Sequence, residues 1–127
     1  MLGDKPCFAT IAVKNREEAR SFYEGVLGLT DVGIESPDVI AYRSGSSVVI
    51  VYETGVAGSN QATYATWAVG DEIEDVVEGL RAKGVSFEHY DLPGTTRDGD
   101  IHVAGSMKTA WFRDPDGNIL NLVNQSM

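Results

Sequence analysis

The sequence has little of what several common classes of protein require. It contains one cysteine, Cys7, which excludes an internal disulfide and a cysteine pair for zinc or redox chemistry. Its ten Lys and Arg residues are scattered among nineteen Asp and Glu, and the formal net charge is −9. Because a nucleic-acid surface needs clustered cations, we expect no nucleic-acid partner. The longest apolar stretch, 47–52, is far too short to span a membrane.

Length and composition also bound the organisation of the chain. Its 127 residues, 43% of them hydrophobic, suit one packed domain, 1–127. No stretch with the basic-then-apolar pattern of a leader opens the sequence. We therefore expect a single-domain cytoplasmic protein that does not contact a membrane.

What the sequence does contain is an internal repeat. The segment FATIAV at 8–13 returns as YATWAV at 64–69, a shift of 56 positions without a gap. The register continues to Gly28, which falls on Gly84, where the left-handed C-terminal cap of a helix is expected. A whole strand, helix and exit turn is therefore repeated in phase.

The repeat also carries matching signals for the start of a helix. Asn15-x-x-Glu18 falls on Asp71-x-x-Glu74, and both resemble capping boxes. Apolar residues at three-and-four spacing follow each box and predict an amphipathic helix.

Strand signals follow each predicted helix. Alternating apolar residues bounded by turn residues predict strands at 30–34, 39–44 and 47–53, and at 85–90, 109–112 and 119–123. The segment 91–107 is predicted to be a long loop, either a functional lid or disordered. Since neither half buries both faces of its sheet alone, the sequence predicts an α+β fold of two paired βαβββ modules, 7–54 and 63–124.

Two segments resemble a known family. FYEGVLGL at 22–29 and WFRDPDGNILNL at 111–122 are similar to the hallmark segments of the vicinal oxygen chelate superfamily, also called the glyoxalase, bleomycin-resistance and extradiol-dioxygenase superfamily. The resemblance implies that the two modules form a cupped mixed sheet and that the protein is a homodimer. It is specific for the fold and weak for the activity.

The resemblance also implies where a metal would bind. Enzymes of this superfamily hold a divalent metal with side chains from the first and last strand of each module. Here the two histidine positions fall on Phe8 and Tyr64, and the last carboxylate position falls on Asn121. The fourth position falls near Ile50, Tyr52 or Glu53, depending on the register. Because a phenyl ring, a phenol and an amide are poor ligands for such ions, we expect no metal and no cofactor.

The same positions indicate a cavity for an organic compound. Strand alternation turns Phe8 and Thr10, and their repeat equivalents Tyr64 and Thr66, away from the helices. Adding aromatic and polar residues near these strands gives nine predicted ligand-binding residues and no catalytic one: Phe8, Thr10, Tyr42, Tyr52, Tyr64, Thr66, His102, Trp111 and Asn121. The interpretation is a metal-free protein that sequesters an antibiotic or other small organic ligand, cationic or aromatic, as the bleomycin-resistance members do. The net charge of −9 would suit a cationic ligand.

Two other functions stay open at this point. One is a metal-dependent lyase, isomerase or dioxygenase whose ligands lie in another register. The other is a metal-free enzyme that uses general acid–base catalysis through Tyr64, His102 or Glu53.

Overall fold

The computed structural model describes residues 1, 3–4, 7–34, 36–59 and 61–124. The chain divides into two compact units, Met1–Ser59 and Asn60–Met127. The fold is α+β, as predicted, and each unit contains one mixed sheet. No helix among the described residues is long and apolar enough to cross a membrane.

The first unit has the predicted βαβββ order. Its elements are β1 (Ala9–Val13), α1 (Arg16–Arg20) continuing as a π-helical turn (Ser21–Val26), β2 (Thr30–Asp31), β3 (Val39–Ser44) and β4 (Ser47–Glu53). The sheet order is β1-β4-β3-β2, and only the β1–β4 pair is parallel.

The second unit contains two more strands than the prediction. Its elements are β5 (Thr63–Ala68), a 3₁₀ turn (Gly70–Glu72), α2 (Ile73–Ala82), β6 (Phe87–Glu88), β7 (Thr96–Asp98), β8 (Ile101–Ala104), β9 (Met107–Arg113) and β10 (Ile119–Val123). The strand order is β5-β10-β9-β8-β7, with β6 also paired to β9, and only β5 and β10 are parallel.

The repeat seen in the sequence is a repeat of topology. In each unit the first strand lies parallel to the last, and the path β5-β10-β9-β6 follows the same order as β1-β4-β3-β2. The units differ between their second and third common strands, where residues 32–38 separate β2 from β3 but residues 89–106 separate β6 from β9. The longer segment forms β7 and β8, which extend the second sheet from the beginning of β9.

The prediction of a long loop at 91–107 is therefore wrong for most of this segment. Gly99 and Gly105, at φ of 63° and 61°, lie in the tight turns between β7 and β8 and between β8 and β9. Glycine takes this left-handed conformation without a steric penalty, which is why such turns form hairpins. The predicted strands at 30–34 and 85–90 shorten to two residues each, and the one at 109–112 extends to Met107–Arg113.

The two faces of the second sheet differ in character. Phe112, Leu120 and Leu122 are buried on the face against which α2 packs, and α2 contributes its own buried apolar side chains, Ile73, Val77 and Leu80. Because side chains alternate along a strand, Trp111 and Asn121 project from the opposite face. That second face carries the candidate site.

Three of the four predicted helix caps are present in the structure. Gly28 and Gly84 have φ of 75° and 91°, as predicted for C-terminal caps. The Asn15 side chain accepts a 2.9 Å hydrogen bond from the Glu18 backbone N–H. The predicted cap at Asp71 is wrong, because the 3₁₀ turn that begins at Gly70 places Asp71 before the first residue of α2, where no side chain caps the helix.

This difference predicts unequal effects of two matched substitutions. Asn15→Ala removes a hydrogen bond to the first turn of α1 and should lower the free energy of unfolding by about 1 kcal/mol. Asp71→Ala removes no cap and should change it by less than about 0.5 kcal/mol. Urea denaturation followed by circular dichroism measures both, and equal losses would contradict the assignment of the caps.

Candidate ligand-binding site

The second unit contains a half-open cavity of about 330 Å³ on the sheet face opposite α2. Four apolar side chains line it: Leu92, Ala104, Met107 and Val123. The remaining lining residues are aromatic or polar: Thr95, His102, Thr109, Trp111 and Asn121. The walls therefore come from β8, β9 and β10 and from the segment that leads into β7.

Hydrogen bonds join three strands across the floor of this cavity. Thr66 Oγ1 donates to Asn121 Oδ1 at 3.1 Å, and Asn121 Nδ2 donates to Thr109 Oγ1 at 2.7 Å and to the Ala110 carbonyl at 3.0 Å. Thr109 Oγ1 in turn donates to the Leu122 carbonyl at 3.0 Å. The buried amide of Asn121 therefore has its hydrogen bonds made within the protein, as a buried polar group requires.

Trp111 forms the aromatic wall of the cavity. Its ring lies edge-to-face against His102, with centroids 5.0 Å apart, and against Tyr90, with centroids 5.2 Å apart. Such arrangements are favoured by the charge distribution of the rings. The two neighbours fix the plane of the indole, which stays partly exposed.

His102 is completely buried in the cavity wall. Its Nε2 accepts a 2.9 Å hydrogen bond from the Tyr90 backbone N–H, so the proton of the neutral ring lies on Nδ1. Nδ1 is buried without a hydrogen-bond partner in the described part of the chain. Burial lowers the pKa of His102 and the positive charge of Arg97 acts in the same direction, whereas backbone interactions with Thr109 and Tyr90 act in the opposite one.

Four of the nine predicted ligand-binding residues lie together at this cavity. His102, Trp111 and Asn121 line it, and Thr66 is bonded to Asn121. Tyr64 is half-buried on β5, beside the irregularity where Ile119 pairs with Thr63 but Leu120 pairs with Ala65, and it does not line the cavity.

The other four predicted residues lie in the first unit. Phe8 is 47% exposed just before β1, Thr10 is exposed, and Tyr52 is half-buried on β4. Tyr42 is completely buried, where it stacks on Tyr23 and donates a 2.9 Å hydrogen bond to Glu24. Burial and this carboxylate raise the pKa of the Tyr42 hydroxyl. The hydroxyl therefore makes its hydrogen bond within the first unit.

The residues at the positions where the sequence resemblance implies metal ligands do not suit a metal ion. The oxygen of the Asn121 amide already accepts from Thr66, and Glu53 accepts a 2.8 Å hydrogen bond from the Arg16 backbone N–H at the start of α1. Residues 1, 3–4, 7–34, 36–59 and 61–124 contain no group of three or more His, Cys, Asp or Glu that could hold an ion. Phe8 and Tyr64 supply no imidazole.

Sequence and structure comparisons now assign the family. The model of the Glyoxalase/Bleomycin resistance protein/Dioxygenase superfamily matches residues 7–122. The chain belongs to this superfamily. No curated protein matches the sequence of this chain.

Several solved structures share the fold of this chain at low sequence identity. An integron cassette protein from the Halifax Harbour sewage outfall metagenome is 22% identical, with a TM-score of 0.71 over 95% of this chain and 99% of that one. The fosfomycin resistance protein FosX from Listeria monocytogenes is 14% identical, with a TM-score of 0.70 over 96% and 93%. A glyoxalase/bleomycin resistance protein/dioxygenase from Alicyclobacillus acidocaldarius is 18% identical, with a TM-score of 0.70 over 94% and 90%.

Sequence reasoning missed six of the residues that line the cavity. Thr109, Met107 and Val123 share strand parity with Trp111 and Asn121. Strand alternation could have found Thr109 and Val123 within the predicted strands, and Met107 needed a longer one. The other three lie on or beside the unpredicted hairpin: Leu92, Thr95 and Ala104. The Asp98-Gly99-Asp100 turn is the signal that could have indicated that hairpin.

The burial of His102 predicts how it titrates. Its pKa should lie below the ordinary value of 6.5, because the charged ring would have to form inside the cavity wall. The unfolded chain then binds a proton at His102 more readily than the folded chain does. The contribution of His102 to stability is therefore complete above pH 6.5, and it is lost as the pH falls towards the pKa of the folded state. NMR titration of the histidine ring protons measures the midpoint.

Two variants assign the signals of that titration. His102→Gln removes the resonance with the low midpoint, and His89→Gln leaves it in the spectrum. A midpoint for His102 at or above 6.5 would show that the ring is hydrated or paired with an anion, contrary to the structure.

Proposed function

We propose that this superfamily member is a metal-free, cytoplasmic small-molecule-binding protein that sequesters an organic compound in the cavity of its second unit. The observation that carries the proposal is the partly exposed Trp111 ring, held edge-to-face by His102 and Tyr90 in the cavity wall. A fixed aromatic surface binds a flat ligand with little loss of conformational entropy.

The size and chemistry of the cavity support this proposal. Its volume of about 330 Å³ lies at the lower end of the usual range for small-molecule sites. Most of its lining is apolar, and the polar groups of the floor bond to one another. A ligand would therefore displace water from apolar surface without having to replace the hydrogen bonds of the floor.

The relatives are compatible with a role in resistance. FosX is described as a fosfomycin resistance protein, and other structural neighbours are integron cassette proteins. These likenesses are below 25% identity and support the fold alone. The proposal also includes the homodimer that the sequence resemblance implied, with one cavity in each copy, and sedimentation equilibrium measures its mass.

General acid–base catalysis through His102 is less compatible with the geometry. The ring nitrogen that could accept a proton, Nε2, already accepts from the Tyr90 backbone. The other nitrogen, Nδ1, carries the proton of the neutral ring. His102 is therefore arranged as a neutral donor, whereas a general base needs an unprotonated nitrogen that faces the substrate.

Two single-tryptophan proteins test the proposed site. Titration with a panel of aromatic and glycopeptide antibiotics should change the fluorescence of Trp67→Phe, which retains Trp111. The same ligand should leave the fluorescence of Trp111→Leu unchanged and bind it about tenfold more weakly, because the stacking surface is lost.

The result depends on both variants remaining folded, which far-ultraviolet circular dichroism checks. A response that follows Trp67 instead of Trp111 would place the ligand elsewhere. No binding by any compound of the panel would count against sequestration of this class of drug.

A further inference from the structure

The charge around the cavity differs from the charge of the whole chain. The chain carries a net −9, which suggested a cationic ligand. At the cavity, however, Arg97 pairs with His102 across β7 and β8. Residues paired in register project from the same face of a sheet, so Arg97, which is exposed and is not itself a lining residue, lies on the cavity's face one strand beyond His102.

Arg97 differs from three other cations of the second unit in its partner. Arg81 pairs with Asp100, Lys108 with Glu74, and Arg113 with Glu88. Arg97 Nη1 instead donates a 2.7 Å hydrogen bond to His89 Nδ1. No carboxylate pairs with Arg97 among the residues that the structure describes.

His89 does not neutralise the positive charge of Arg97, because its ring carries no negative charge. His89 Nε2 lies 2.7 Å from Asp100 Oδ1 and donates to it, while Nδ1 accepts from Arg97, which is the arrangement of a neutral ring. The other oxygen of Asp100 accepts from Arg81 Nε at 3.0 Å. The hydrogen bond from His89 lowers the pKa of Asp100, which keeps this carboxylate ionised and bound to Arg81.

We propose that the ligand of this cavity is a planar aromatic carboxylate, with its ring on Trp111 and its carboxylate on Arg97. The inference rests on the proposed binding function and names the class of its ligand. A guanidinium presents five N–H donors in a planar fork that matches a carboxylate, and Arg97 uses only one nitrogen on His89.

The electrostatics next to Arg97 agree with an anionic ligand. Burial is the main cause of the lowered pKa of His102, and the positive charge of Arg97 acts in the same direction. Lys108 and Arg113, on the same strand as Trp111, are compensated by their own carboxylates. A cationic ligand would meet an uncompensated arginine at this position.

Three ligands of the same shape and different charge test the inference. 2-Naphthoate, 2-naphthamide and 2-naphthylmethylammonium are titrated into the full chain by isothermal calorimetry at low ionic strength. 2-Naphthoate should bind at least about tenfold more tightly than the neutral amide, as a charge-assisted hydrogen bond provides, and the ammonium compound should bind most weakly.

Two variants of equal charge change provide the control. Arg97→Gln should bind 2-naphthoate and 2-naphthamide equally. Lys83→Gln, at the end of α2 and therefore on the other side of the sheet, should keep the preference of the native chain. Raising the salt concentration should weaken the binding of 2-naphthoate alone.

The outcomes separate this inference from the function on which it rests. Equal binding of 2-naphthoate and 2-naphthamide to the native chain, or an unchanged preference in Arg97→Gln, overturns the carboxylate and leaves an aromatic-binding cavity. Binding of none of the three compounds, with Trp111 unperturbed in the NMR spectrum, overturns the proposed function as well. Tightest binding of the ammonium compound restores the cationic ligand that the net charge suggested.

Discussion

The side chain of Asn121 lies on β10, between β5 and β9, and bonds towards both neighbours. It accepts from Thr66 on one side and donates to Thr109 and to the Ala110 carbonyl on the other. Asn121 is only 7% exposed, so each of these bonds replaces one that water would otherwise make. This constraint holds three strands in register at a position where the sequence resemblance implies a metal ligand.

The saturated floor has a consequence for recognition. Because its donors and acceptors bond to one another, discrimination between ligands depends on the aromatic wall and on the β7–β8 hairpin. That hairpin, absent from the first unit's βαβββ topology, contributes His102 and places Arg97 on the same face. In the proposed complex, the repeated strands therefore provide the surface for a flat ring, and the added hairpin provides the charge of Arg97 beside it.

Much of the fold could be predicted from the sequence, because the two copies repeat the signals of each element. Strand β10 and the caps at Gly28 and Gly84 follow from local pattern alone. The cap at Asp71 could not, because the 3₁₀ turn beginning at Gly70 changes the start of the helix.

The candidate site was predictable mainly where it coincides with a hallmark segment of the superfamily. Trp111 and Asn121 lie in a hallmark segment, and their parity follows from strand alternation. The hydrogen-bond partners of Asn121 depend on tertiary register, and the position of Arg97 depends on a hairpin whose polar, glycine-containing residues are typical of a loop. Net charge does not give the local charge beside the cavity, because ion pairs between neighbouring side chains compensate Arg81, Lys108 and Arg113.

The central claim is that this cavity has an internally bonded amide, that of Asn121, at a position where the sequence resemblance implies a metal ligand, beside an aromatic wall formed by Trp111. Elemental analysis of protein purified without chelators and incubated with Ni²⁺, Zn²⁺, Fe²⁺ or Mn²⁺ tests it most directly. The account predicts well under one equivalent of each metal after desalting. One equivalent of any of them, lost in Asn121→Ala but retained in Lys83→Gln, would contradict it.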